Sequence, residues 1–191
     1  MTTSEAVRCT GPLPYHRGVA ALTLLLVLVI LYFTVVAVLR VSPHASPPDA
    51  AALRADGATR LAAVPGMVLQ NGTSDCGAAT LRNFALMTGR ARRADELASS
   101  VRIDLFGTTV GDMQAALAGA GIATRAARRN GLDLTPADLP AIVLIRQHYV
   151  VATGRTASGR LDILDPWLGH VALDRAHYRR EHVVVITETR P

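Results

Sequence analysis

Gln70-Asn71-Gly72-Thr73-Ser74-Asp75-Cys76-Gly77-Ala78-Ala79-Thr80-Leu81 decides the reading of this chain. A lone cysteine stands immediately before an apolar, alanine-rich run whose spacing predicts a helix over Gly77 to Met87. Ser74 and Asp75 are N-cap residue types at the right place, and Gly89 closes the pattern as a C-terminal stop. A thiol at a helix N-terminus feels the positive end of the helix dipole, which favours thiolate over thiol. Gln70, six residues upstream, offers a side-chain amide that can join the Cys76 backbone N–H in holding an oxyanion. Gly77, Ala78 and Ala79 leave the approach to the sulfur open. An isolated cysteine is more often a buried, inert core residue; the amide at minus six, the capping residues and the small neighbours together favour an activated nucleophile.

Such a nucleophile needs a base. Among His16, His44, His148, His170, His177 and His182, only the last four fall in the region that reads as globular. His148 heads the apolar strand His148-Tyr149-Val150-Val151, where a polar residue needs a reason. Seventeen residues on, past the Ser158-Gly159 turn, Asp165 ends the next strand. If the two strands are antiparallel neighbours, Asp165 and His148 share one end of the sheet. The carboxylate then fixes the imidazole tautomer and leaves the other nitrogen for the cysteine. His170 ranks second because it lacks an acid at a comparable position, while His177 and His182 flank an arginine-rich helix and are expected to face solvent.

Around these residues the pattern predicts helices over Asp95 to Ser100 and Val110 to Ala120, the latter capped by Thr108 or Thr109 and stopped by Gly121. Met113, Ala116, Leu117 and Ala120 recur at helical spacing and make a core face. The period then changes. Strands are expected over Ile122 to Ala126, Ala141 to Ile145, His148 to Thr153, Arg160 to Leu164, His170 to Leu173 and Val183 to Thr187, with a short helix over Asp174 to Arg180. Helices followed by an antiparallel sheet define an α+β domain.

The 191-residue chain also carries Val19 to Leu39, 21 residues without a charge, bracketed by Arg17 and Arg40. At the helical rise this covers about 30 Å, the thickness of a bilayer core. It is too long for the apolar part of a cleaved signal peptide and lacks a small-residue cleavage site, so it reads as an uncleaved single-pass anchor. The expected organisation is an N-terminal tail (1–18), a transmembrane helix (19–39), a proline-containing linker (40–63) and a globular domain (64–191). Arg8, Arg17 and the amine before the span favour a cytoplasmic N-terminus and an extracytoplasmic domain.

Net charge is +5 with a pI near 10.0, yet all 20 basic residues are arginine. They are scattered, without interleaved aromatics, which argues against nucleic-acid binding; attraction to anionic membrane lipid is the simpler use of the charge. Cys9 and Cys76 lie on opposite sides of the span, so Cys76 is expected to be a free thiol. No Cys/His cluster suggests a metal or other cofactor.

As a set, Gln70, Asp75-Cys76-Gly77-Ala78-Ala79, His148-Tyr149-Val150-Val151 and Asp165-Pro166 with Gly169 resemble the bacteriocin-processing, double-glycine leader cysteine peptidases. Gly107-Thr108-Thr109, Gly121 and Leu139-Pro140-Ala141-Ile142 agree, so the likeness covers about residues 64–187. It implies a papain-like fold in which a helical lobe bears Cys76, a sheet lobe bears His148 and Asp165, and Gln70 serves the oxyanion hole. It further implies cleavage after a Gly-Gly pair ending a peptide leader. Family members are commonly fused to an ABC exporter, whereas no Gly-x-x-x-x-Gly-Lys loop occurs here, so a separately encoded exporter is the expected partner. Two other readings share the fold: a module that binds a leader without cutting, and an amidase acting on cell-wall peptide. Retention of Gln70, Cys76, His148 and Asp165 together weighs against the first, and the Asp75-to-Ala79 context against the second.

Overall fold

The computed structural model describes residues 15–41, 57–72, 74–104 and 107–189. Cys9, His44 and the proline-bearing start of the linker lie outside the described residues. The first element, α1 (Tyr15–Val41), is a 27-residue helix and forms a unit of its own. Its side chains over 21–35, including Leu22, Leu25, Ile30 and Phe33, are exposed. Among the fully described residues no helix is long and apolar enough to cross a membrane.

The second unit is a seven-stranded antiparallel sheet with helices on one face. Its elements are β1 (Ala58–Arg60), α2 (Cys76–Met87), α3 (Ala94–Ser100), α4 (Val110–Gly119), β2 (Thr124–Asn130), β3 (Ala141–Ile145), β4 (His148–Arg155), β5 (Leu161–Asp165), β6 (Gly169–Leu173) and β7 (His182–Glu188). The strand order is β1-β6-β5-β4-β3-β7-β2. Alternation along each strand builds two cores. Ile142, Tyr149, Val151, Leu164 and Ile186 meet Leu81, Phe84, Leu97, Met113 and Leu117 from α2, α3 and α4. Val143, Val150, Ile163, Val171 and Val185 point the other way, where Leu132, Leu134 and Tyr178 from the connections cover them. Because β3 is covered on both faces, its sequence is a continuous apolar run and not an alternating one.

Helices α2 and α4 stop where their glycines require. In each the residue after the C-cap, Gly89 (φ 72°) or Gly121 (φ 75°), is left-handed. The next N–H returns to the helix, from Arg90 to Ala85 O at 2.7 Å and from Ile122 to Leu117 O at 2.9 Å, the two-bond Schellman closure. Ile122 is therefore the apolar plug of a helix end. For that reason the strand expected from Ile122 begins at Thr124 and runs on to Asn130. That extension adds Arg128 and Arg129 to Arg125 on an edge strand, where charge discourages pairing with other chains.

The linker expectation needs one correction. Residues 58–60 pair with β6, Ala58 opposite Leu173 and Arg60 opposite Val171, and Ala58 is buried. The sheet recruits them because β6 would otherwise present an unpaired edge to solvent. The short helix expected over Asp174 to Arg180 is a 3-10 turn, Arg175–Tyr178, started by Asp174 accepting from the Ala176 N–H at 2.9 Å.

One buried ion pair ties β2 to the connection before β3. Asp138 accepts from Arg129 at both oxygens (2.8 and 3.0 Å) and also from the Thr135 N–H and hydroxyl. Chiefly through the Arg129 bond, which outweighs the cost of burial, its carboxyl is held well below the usual carboxylate range. A depressed folded-state pKa adds stability above the unfolded value near 4, and that stability disappears as pH falls. Asp138→Ala is expected to cost roughly 3 kcal/mol in urea unfolding at pH 7. The gap to wild type should narrow as pH drops below 4.

Candidate active site

Chain geometry brings three of the four anticipated residues together at one end of the sheet. His148 is the first residue of β4, set there by a two-residue hairpin whose central residues, Arg146 (φ 48°) and Gln147 (φ 66°), are both left-handed. Asp165 is the last residue of β5, and β4 and β5 are antiparallel neighbours. His148 Nε2 lies 2.8 Å from Asp165 Oδ1. The same oxygen accepts from the Trp167 and Leu168 N–H groups at 2.7 and 3.0 Å, which fixes the carboxylate as a buried turn anchor. A carboxylate can only accept, so Nε2 carries hydrogen and Nδ1 is the nitrogen that faces Cys76.

Cys76 opens α2 and is buried. Burial on its own would raise the thiol pKa. The hydrogen bond from His148 and those from the Tyr149 and Gly77 N–H groups outweigh it, and the pKa is lowered. The reciprocal effect appears on the imidazole. Burial would lower the His148 pKa, but the bonds to Asp165 and Cys76 push it up to about 9. Both shifts act in the same sense, each favouring the thiolate–imidazolium form of the pair.

Gln70 is buried beside this array. Its N–H donates to Pro166 O at 2.9 Å, which links the loop before Cys76 to the turn after Asp165. Its side-chain Nε2 donates one hydrogen to Gly72 O at 2.8 Å. Asp75 stands at the N-cap position, but its carboxylate does not cap the helix; it turns back to accept from the Asn71 and Gly72 N–H groups at 2.9 and 3.0 Å. What Asp75 organises is the Gln70 loop.

The rival base lies elsewhere, and it does have an acid. His170 Nε2 is 2.7 Å from Asp162 Oδ1 and Nδ1 is 2.5 Å from Ala62 O, so this pair fastens the segment after β1 to the sheet. His177 and His182 are exposed, as their sequence context suggests. Among the described residues no group of three or more His, Cys, Asp or Glu side chains could hold a metal ion.

One neighbour of the site was not singled out by sequence reasoning, and a second, Thr108, was anticipated only as a candidate cap of α4, a place that Thr109 takes. Trp167, the only tryptophan, stands edge-on to His148 with ring centroids 6.4 Å apart and remains partly exposed. Its place two residues after Asp165 was the available signal. Thr108 packs against Gly77: a Cβ built on that glycine would lie 2.6 Å from Thr108 Oγ1 and 2.8 Å from its Cβ. Gly77 therefore lacks a side chain because the loop before α4 sits on the first turn of α2. Gly77→Ala is expected to destabilise the domain by about 1–3 kcal/mol, read from thermal or urea unfolding.

A cysteine at a helix N-terminus, its thiol pKa lowered beside a histidine that a buried carboxylate orients, is the constellation of a cysteine peptidase. The Peptidase C39 family model matches residues 66–191. The chain belongs to that family. Among solved structures it is similar to a double glycine motif protease from an AMS/PCAT transporter in complex with the leader peptide, with 19% identity and a TM-score of 0.55 over 64% of this chain and 91% of that one. It is also similar to the N-terminal peptidase C39 like domain of a toxin secretion ATP-binding protein from Vibrio parahaemolyticus, with 12% identity and a TM-score of 0.48 over 61% and 98%. The peptidase domain of Streptococcus ComA, described as a bi-functional ABC transporter involved in a quorum sensing pathway, matches with 19% identity and a TM-score of 0.47 over 64% and 97%. No curated protein matches the chain.

Proposed function

We propose that this chain is a membrane-anchored cysteine endopeptidase that cleaves peptide precursors after a Gly-Gly leader motif, with Cys76, His148, Asp165 and Gln70 as its working residues. The observation that carries the reading is the Cys76–His148–Asp165 array at the N-terminus of α2, within a chain of the Peptidase C39 family. The leader specificity is supported by the similar protease whose structure holds a leader peptide.

In this mechanism the Cys76 thiolate attacks the scissile carbonyl carbon. The Cys76 N–H and an amide N–H of Gln70 receive the developing oxyanion. As the C–N bond breaks, imidazolium Nδ1 of His148 gives its proton to the departing amine, leaving a thioester on Cys76. Neutral His148 then takes a proton from water, and the hydroxide attacks the thioester. The leader carboxylic acid leaves and the thiolate returns. Asp165 holds the ring in one tautomer through both steps.

The anchor is supported by the uncharged run over Val19 to Leu39 and by the continuous helix Tyr15–Val41 in which it lies, with exposed apolar side chains over 21–35. The reading places α1 in the bacterial inner membrane, among its lipids, with the peptidase domain on the extracytoplasmic side. A separately encoded ABC exporter would deliver the precursor.

The test uses the full chain in detergent micelles with a panel of precursor peptides carrying Gly-Gly, Gly-Ala or Ala-Ala before the junction, together with wall peptides. The expected product, by mass, is a single cut after the second glycine of the Gly-Gly substrates. Binding of leaders without any cut would favour the binding module, and cleavage of wall peptides alone would favour the amidase.

A further inference from the structure

The backbone of Tyr149 carries two polar groups that the sheet leaves unused. Both central residues of the preceding hairpin are left-handed, so the connection is a type I′ turn closing on the pair Ile145–His148. By the alternation of an antiparallel ladder, the next pair, Leu144–Tyr149, is a non-hydrogen-bonded one. The Tyr149 N–H and C=O therefore point away from β3, toward β5. On that side the register Val151–Leu164 and Ala152–Ile163 extends to set Pro166 opposite Tyr149. Proline has no N–H to give, and the Pro166 carbonyl is already taken by the Gln70 N–H.

Helix α2 fills the gap from one face. Thr80 Oγ1 donates to Tyr149 O at 2.9 Å, a buried bond between residues 69 apart in sequence. The Tyr149 N–H reaches the Cys76 sulfur. Cys76 and Thr80 are four residues apart, one helical turn on the same side. The two polar groups of a single strand residue are thus held by two side chains of a single helix. That residue directly follows His148.

We propose that Thr80 is a positioning residue of the active site: by clasping the Tyr149 carbonyl, its hydroxyl sets the separation between Cys76 on α2 and His148 on β4. Thr80 touches neither substrate nor the reacting atoms. It acts through the Tyr149 backbone, and its catalytic consequence rests on the peptidase reading above. A threonine that merely satisfied a buried carbonyl would affect stability alone.

Thr80→Val removes the donor at nearly constant shape and Thr80→Ser keeps the donor. Each full-length variant is compared with wild type in kcat and KM on a Gly-Gly precursor peptide, and in the pH dependence of iodoacetamide alkylation at Cys76, followed by peptide mass. The titratable groups around Cys76 are His148 and the Tyr149 phenol from β4, with Asp112 of α4 acting on that phenol, and none is altered by these substitutions. The expected result for Thr80→Val is a kcat lower by roughly 10- to 100-fold, the cost of a slightly misplaced group. KM should stay within about twofold of wild type and the alkylation profile should move to higher pH, with Thr80→Ser restoring both. Should Thr80→Val not fold, Thr80→Ala carries the same expectation. A donor-less variant with wild-type kcat and alkylation profile overturns the proposal, whatever its melting temperature, as does a Thr80→Ser variant impaired as much as Thr80→Val. A wild type that cuts no peptide would refute the peptidase reading instead, and the alkylation profiles would still decide the role of Thr80.

Discussion

Replacing His148 by alanine is expected to lower kcat/KM on a Gly-Gly precursor by roughly 10⁴-fold or more, the scale seen when the base of a nucleophilic unit is deleted. Two losses combine. The imidazolium that protonates the departing amine is gone, and so are the hydrogen bond and charge that hold the Cys76 thiol below its ordinary pKa. Only the Tyr149 and Gly77 N–H bonds then oppose burial, so the thiol pKa rises. Iodoacetamide alkylation at Cys76 near pH 7 should be slower in the variant than in the wild type by roughly tenfold or more. The alkaline limb of wild-type activity follows from the same pair. His148 is pushed up to about 9 from an ordinary 6.5, so cleavage should persist through neutral pH and decline as pH rises through about 9. The raised value also fixes the sign of its stability contribution. It is complete below about 6.5 and is lost as pH rises through about 9. A wild-type activity that peaked near pH 5 and vanished by pH 7 would contradict this assignment.

The second large effect concerns Asp165, and it is graded. Asp165→Ala removes the partner of His148 Nε2 and also the acceptor for the Trp167 and Leu168 N–H groups. The imidazole loses its orienting bond while the turn beside it loses its anchor, so kcat should fall by roughly 10³-fold, with a lower melting temperature. Asp165→Asn keeps an oxygen that can accept from the turn and from the ring, without the charge. Its fold should be close to wild type and its kcat reduced by roughly tenfold to a hundredfold. Equal activities for the two variants would mean that the carboxylate does not act through His148. The comparison needs both kcat and thermal unfolding, since only Asp165→Ala is expected to lower both strongly.

Much of this was legible from residue patterns because the relevant signals are local. Cys76 before an alanine-rich run, Gly89 and Gly121 after their helices, and the apolar run of β3 each decide structure within a few residues. The His148–Asp165 contact was legible because a turn signal at Ser158-Gly159 lies between two consecutive strands, the pattern of antiparallel neighbours. What escaped depends on distant partners. β1 has no pattern of its own and forms only because β6 offers an edge. The arginine-rich half of β2 reads as a charge cluster until β7 pairs with it. The hairpin that sets His148 contains no glycine or asparagine at its left-handed positions, so the usual turn cue is missing. Asp75 is an N-cap type whose carboxylate found better donors in the loop behind it. His170 was set aside for want of an acid, and the structure supplies Asp162 from the neighbouring strand, for a structural purpose. Thr80 was silent because a threonine within a helix carries no signal until the opposing carbonyl is in place.

The most direct test of the account is the cleavage of a Gly-Gly precursor peptide by full-length wild type and by Cys76→Ala, with the melting temperature of each measured alongside. Cys76 is the atom source of the proposed thioester, and alanine there removes only the sulfur from a helix start that tolerates small residues. The account predicts a single cut after Gly-Gly by the wild type and none by a variant of unchanged fold. A folded Cys76→Ala variant that cuts the same bond at a comparable rate would contradict it.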